Sequence, residues 1–257
     1  MLREPCSRKD MTLVSSILLQ AYRESNLVAL GTSALNTNQE TEALARLNAL
    51  IASVLGWEAG ENLKQWPVGT AGYQEVPESL RQEIWKYPPI NSTLVLNLTQ
   101  TETIYLPEKP SDGARISVQD PGGNLATYNV TLDGNGRLIE AARTLALNTN
   151  SLSRTWFYRA DIGDWRRVNT LAASDDMPFP VEFDDMFIIL LAIRLNPRYG
   201  RKLDDQTALM LRRAQSMFSA RYAQKEDIEF QPDFVRSPVM GFNNAWSEED
   251  VVLIRGA

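Results

Sequence analysis

Hydrophobic periodicity changes twice along this chain, and that change restricts its fold more than any single residue does. From Met11 to about Leu30, Leu13, Ile17, Leu18 and Ala21 recur at helical spacing, with Gly31 as a natural stop. Thr37-Asn38-Gln39-Glu40 fits a capping box. Leu44, Leu47, Ile51 and Val54 follow at intervals of three and four, one apolar stripe ending near Leu55-Gly56. From Ile104 to Val168 the character is different. Arg115–Gln119 and Thr155–Arg159 alternate with period two, and Pro121-Gly122-Gly123, Asp133-Gly134-Asn135-Gly136 and Ile162-Gly163-Asp164 place turns at short intervals. After Pro178 and Pro180 the helical period returns. Met186, Ile189, Leu190 and Ile193 form one face, closed by Asn196-Pro197. A longer helix runs from the N-cap Asp204 to about Gln224, burying Leu211, Ala214, Phe218 and Tyr222.

This order predicts an α+β protein: a helical bundle of about four helices, in N- and C-terminal pairs, with a small antiparallel β-sandwich or barrel inserted and an extended C-terminal arm. The expected boundaries are 11–103 for the N-terminal helices and an irregular connection, 104–169 for the β-domain, 178–225 for the C-terminal helices and 226–257 for the arm. Within the connection, Pro77–Ile84 reads as a short helix with proline at its first position. Asn91–Gln100 reads as either a strand or an extended arm.

Composition narrows the chemistry. Among 257 residues there is no histidine, which excludes Ser-His-Asp and Cys-His catalysis and histidine-ligated metals within this chain. Cys6 is the single cysteine, so no disulfide, CxxC pair or cysteine-only zinc site forms within the chain. The net charge of -6 argues against bulk duplex binding by phosphate neutralisation. No apolar run reaches the ~18 residues of a membrane span, and the polar start carries no signal-peptide core. The expectation is a soluble, unsecreted, non-enzymatic protein without cofactor or metal and without a membrane role.

Several clusters carry a functional and a structural reading. Asp133-Gly134-Asn135-Gly136, with Asp161 and Asp164, resembles part of a calcium loop, but without its bidentate acid it reads as a β-turn. Trp156, Tyr158 and Trp165 are candidate surface aromatics of the β-module, able to stack on sugars, although alternation turns Phe157 away from Trp156 and Tyr158 and leaves at least one side as core. Asp175-Asp176 with Glu182, Asp184 and Asp185 supplies paired carboxylates, placed where a helix N-terminus favours acids. Arg212, Arg213 and Arg221 form a candidate basic face for a channel or a neighbouring subunit. Residues 226–257 hold seven acids against two arginines, a net -5, with Phe230, Phe234, Phe242 and Trp246 as candidate anchors of an arm that binds the portal or a neighbour.

Ala43–Leu50 followed by Gly56-Trp57 resembles the N-terminal helices of tailed-phage head-to-tail adaptors, the packaged-DNA stabilisation or head-completion family of short-tailed phages. Phe183–Phe187 and Leu191–Gly200, followed by a basic helix, are similar to that family's second half. Val130–Glu140 with Arg154–Tyr158 is similar to a small module of phage tail and virion proteins, which the simplest adaptors lack. The resemblance implies a viral structural protein of the neck, assembled in the host cytoplasm. Its partners would be the portal protein and a tail tube or nozzle protein, in a homo-oligomeric ring of about twelve copies closed by head-to-tail contacts. The ring would extend the DNA channel, retain packaged DNA, pass double-stranded DNA without sequence specificity and dock the tail. The rival reading is a carbohydrate- or receptor-binding tail accessory protein that uses the β-module.

Overall fold

The structure, a computed structural model, describes residues 11–59, 63–68, 86–200 and 203–223. The chain divides into two compact units, Met1–Gln224 and Lys225–Ala257, and every described residue belongs to the first. The expected helix at Pro77–Ile84 and the arm residues Phe230, Phe234, Phe242 and Trp246 lie outside the described residues.

Four helices longer than one turn occur among the described residues: α1 Val14–Glu24, α2 Thr37–Ala59, α3 Asp184–Leu195 and α4 Asp205–Tyr222. α1 stops at Glu24, short of Gly31, and buries Val14, Ile17, Leu18, Ala21 and Tyr22. Leu13 is exposed instead, because it is the N-cap. No side chain caps α1. Its first donors reach across the chain, Val14 N–H to the Asp175 carbonyl at 2.9 Å and Ser15 N–H to the Ala173 carbonyl at 3.0 Å. The capping box of α2 falls one residue earlier than expected: Gln39 N–H donates to Asn36 Oδ1 at 2.9 Å, and Asn36 N–H donates to Gln39 Oε1 at 3.1 Å. Asp204 caps α4 as expected, accepting from Thr207 N–H at 2.8 Å and Thr207 Oγ1 at 2.9 Å. α3 is apolar nearly all round, so spacing could not select its inner face. Met186, Phe187, Ile188, Leu191 and Ala192 are buried, while Ile189, Leu190 and Ile193 are half-buried.

The strands are β1 Lys64–Val68, β2 Ser92–Leu96, β3 Glu102–Tyr105, β4 Arg115–Gln119, β5 Val130–Asp133, β6 Leu138–Ile139, β7 Thr144–Leu147, β8 Ser153–Arg159 and β9 Asp164–Arg167. They build a six-stranded sheet ordered β1-β2-β4-β8-β9-β6 and a three-stranded sheet ordered β3-β5-β7. Both sheets are mixed. β1–β2, β2–β4, β3–β5 and β6–β9 run parallel, while β4–β8, β8–β9 and β5–β7 run antiparallel.

The expected helical bundle with an inserted antiparallel sandwich or barrel is therefore wrong. Alternation specifies which face a residue occupies, not the strand's partner or direction, and four of the pairings are parallel. The β part carries a core of its own, but it shares strand β8 with the helical core. Along β8, Trp156 and Tyr158 enter a core of sheet residues with Leu94, Ile116, Val118, Val130, Leu132 and Trp165. Phe157, on the opposite side, enters the helical core with Leu18, Leu47, Ile51, Phe179, Phe187 and Phe218. Its ring lies 5.4 Å from Phe179 and 4.7 Å from Tyr222, edge-on to both. Asn91–Gln100, open between strand and arm, contains β2 in the middle of the parallel ladder.

Phe157→Ala is expected to cost about 3–5 kcal/mol, the range for a truncated buried aromatic. Urea unfolding followed by helix circular dichroism and by tryptophan fluorescence should shift together. An independent β-module would leave the tryptophan transition in place.

Candidate functional site

Two places hold the residues singled out above. The first is a half-open pocket of about 170 Å³ lined by Glu140, Arg166, Arg167, Leu171, Ser174, Asp175 and Asp176. Ile139–Ala142 forms one wall as a tight turn with reciprocal backbone bonds of 2.7 and 2.9 Å between its ends. Its central residues, Glu140 at φ 49° and Ala141 at φ 67°, are left-handed, as a type I′ turn requires, although neither is glycine. Such positions cost on the order of 1–3 kcal/mol each and persist only where their surroundings hold them. Here Ala141 N–H donates to Asp164 Oδ2 at 3.1 Å, Glu140 N–H to the Trp165 carbonyl at 3.0 Å, and Trp156 Nε1 to Glu140 Oε1 at 2.8 Å.

The charges around this turn are spent on one another. Arg166 lies 3.0 Å from Asp164 and 3.7 Å from Asp176. Arg167 lies 2.5 Å from Asp175, which also accepts from Ala172 N–H at 2.8 Å. Asp164 is almost fully buried. Burial pushes its carboxyl above the ordinary carboxylate range, against the opposing pull of Arg166 and the Ala141 N–H. Asp175-Asp176 is therefore a clasp between β9 and the loop that receives α1, held by arginines and not by a helix N-terminus. Asp184, the first residue of α3, accepts from Thr12 Oγ1, and burial raises its carboxyl too. Asp161 behaves oppositely. Burial works against its ionisation, but hydrogen bonds from Arg159 at 3.1 and 2.5 Å outweigh it and hold the carboxyl low. The remaining Arg159 nitrogen donates to the Phe179 carbonyl at 3.2 Å. At the former calcium candidate, Asn135 N–H donates to Asp133 Oδ1 at 2.8 Å, the bond of a turn. No group of three or more acids suited to a metal occurs among the described residues.

The candidate surface aromatics need correction. Trp156, Tyr158 and Trp165 are 1, 3 and 0% exposed. A ring enclosed on both faces cannot stack on a sugar, so the feature behind the carbohydrate reading is part of the core. Tyr158 packs on Trp165 at 5.2 Å.

The second place is the outer face of α4. Arg221 does not belong to a free basic face: its Nε lies 2.9 Å from Asp112 Oδ2, and Nη1 pairs with Glu182. Together with buried Phe218 and Tyr222 it fastens the end of α4 to the sheet. The fit is close enough that a Cβ on Gly113, at φ 84°, would sit 3.0 Å from the Tyr222 ring. Arg212 and Arg213, by contrast, are exposed. Beside them stand residues not singled out from the sequence: Leu209 at 68%, Met210 at 62% and Met217 at 53% exposure. Leu209, Arg213 and Met217 are four apart, and Met210, Arg213 and Met217 are three and four apart, so all four share one face. A second apolar stripe opposite Leu211, Ala214, Phe218 and Tyr222 was the signal available in the sequence. No helix among the described residues is long and apolar enough to cross a membrane.

Two measurements test the turn and the buried acid that holds it. Because the Asp164 carboxyl is raised by folding, its contribution to stability is full below the unfolded carboxylate value of about 4 and is lost as pH rises through the folded value. Asp164→Asn should remove that part of the pH dependence in urea titrations run from pH 3 upward. Ala141→Gly should raise stability by about 0.5–1 kcal/mol by relieving a positive φ at an exposed position.

In comparisons with known proteins, no family model matches the chain, and no curated protein matches it.

Proposed function

We propose that this protein is a non-enzymatic structural subunit of the head-to-tail adaptor type, which assembles in a ring below a phage portal, extends the DNA channel, retains packaged DNA and docks the tail. One observation carries the reading. α4 is fastened at its C-terminal end by Phe218, Arg221 and Tyr222, yet presents Leu209, Met210 and Met217 to solvent beside Arg212 and Arg213. Isolated exposed apolar residues are ordinary, but three large ones on one helical face, interleaved with arginine, suit the centre of a protein interface. The pocket supports the same reading from the opposite direction, since Asp175 and Asp176 are paired with Arg167 and Arg166 and Glu140 accepts from the Trp156 indole. The ring, the portal and the virion location come from the resemblance of Ala43–Leu50 and Leu191–Gly200 to the adaptor family.

The test is particle imaging with mass measurement of the chain, alone and mixed with the portal protein of the same genome. The intact chain should be captured on the portal as a closed ring. Leu209→Asp combined with Met217→Asp should abolish capture while leaving the thermal unfolding midpoint within about 2 °C, because exposed positions away from packed features contribute little to stability. Normal capture of that double variant, or no capture of the intact chain, would overturn the reading.

A further inference from the structure

The two sheets end in four edges among the described residues, and three are closed to strand addition. β1 carries Pro67, which has no N–H to offer. β6 is two residues long and runs directly into the Ile139–Ala142 turn. β3 is already covered, since Tyr105 N–H donates to the Lys86 carbonyl at 2.8 Å and Tyr105 stacks on Tyr87 at 5.2 Å. Among the described residues, β7 has none of these protections. Its sequence Thr144-Leu145-Ala146-Leu147 contains no proline and no charge.

The phase of the β5–β7 ladder shows which β7 groups are open. The residues pair Val130 with Leu147 through Asp133 with Thr144. Gly134 N–H donates to the Arg143 carbonyl at 3.0 Å, which makes the next pair in register a hydrogen-bonded one. Bonded and non-bonded pairs alternate in an antiparallel ladder. Leu145 and Leu147 therefore bond to β5, while the N–H and C=O groups of Thr144 and Ala146 point away from it. Both residues are exposed. A row left open by the described residues in this way is a template for an added strand.

We propose that β7 is the acceptor for a strand donated by a second copy of this chain, residues 250–255. Val251-Val252-Leu253-Ile254 is an apolar run equal in length to β7, three of its four residues are β-branched, and it is bounded by Asp250 and Arg255. Charge selects the orientation. Arg143, just before β7, is exposed and pairs with no carboxylate among the described residues. Parallel addition brings Asp250 beside it; antiparallel addition brings Arg255 there instead. Residues 224–250 can span on the order of 90 Å when extended, enough to reach an adjacent subunit. The inference deepens the assembly reading by giving head-to-tail contacts a donor and an acceptor, but the strand exchange requires no portal.

The experiment is a complementation. Ala146→Pro removes an outward-facing N–H and leaves the β5 ladder intact, so that variant keeps a donor but loses the acceptor. The chain ending at residue 249 keeps the acceptor but loses the donor. Each alone should remain monomeric, and an equimolar mixture should form a one-to-one complex by light scattering. Arg143→Glu in the full chain should weaken self-association up to about fivefold, and adding Asp250→Arg should restore it. This charge pair also covers the case in which Ala146→Pro fails to fold. A mixture that stays monomeric, or an Ala146→Pro variant that associates like the parent, would overturn the proposal whether or not the portal captures the chain.

Discussion

Everything else in the described fold depends on β8 being buried on both sides. A strand with one face on a core and one in water can be cut out with its module. β8 cannot, because Trp156 and Tyr158 belong to one core and Phe157 to the other. Its last residue extends the coupling. Arg159 is buried, bidentate to Asp161, and holds the Phe179 carbonyl at the entrance to the aromatic cluster of Phe183, Phe187, Phe218 and Tyr222. Truncating such a guanidinium would leave a buried carbonyl without its donor, a larger loss than the worth of an exposed ion pair. The helices and the sheets thus share a wall, and the position of α4 follows from that wall through Phe218 and Tyr222.

Local chemistry was legible in the sequence and long-range pairing was not. Asp204 was readable as a cap because one side-chain oxygen and two near donors decide it. The cap of α2 was displaced by one residue because Asn36 and Thr37 both precede a residue able to close a box, and only the backbone trajectory selects Asn36. The alternation along β8 was readable, but the sequence alone did not say that the second face is buried too. Strand direction left no trace, since period two is the same in parallel and antiparallel ladders. The helix at 184–195 shows a further limit. When nearly every position is apolar, spacing carries no information about which side faces in.

The candidate site divides along the same line. The acids at 175 and 176 read as companions of a helix N-terminus, but their partners are Arg166 and Arg167, with Ala172 N–H also bonding Asp175. The aromatics of β8 and β9 were misplaced because a tryptophan has the same identity in a core and on a surface. Leu209, Met210 and Met217 interleave with Arg212 and Arg213, so a reading by charge alone hides their apolar stripe. Among the described residues, the surface presents the exposed apolar side chains of α4 and the outer edge of β7.

The borrowed acceptors of α1 set an order on synthesis. The carbonyls that receive Val14 N–H and Ser15 N–H belong to Asp175 and Ala173, and Met177 N–H closes the same join on the Thr12 carbonyl. A helix with a side-chain cap can finish its first turn as soon as it emerges. This one cannot, because its terminus is completed by a loop translated on the order of ten seconds later at ordinary elongation rates. During that interval Ile17, Leu18 and Ala21 have no finished core to enter. The earliest helix to be made is then among the last to be secured, and the nascent chain must keep an apolar stripe from straying until the loop beyond β9 arrives.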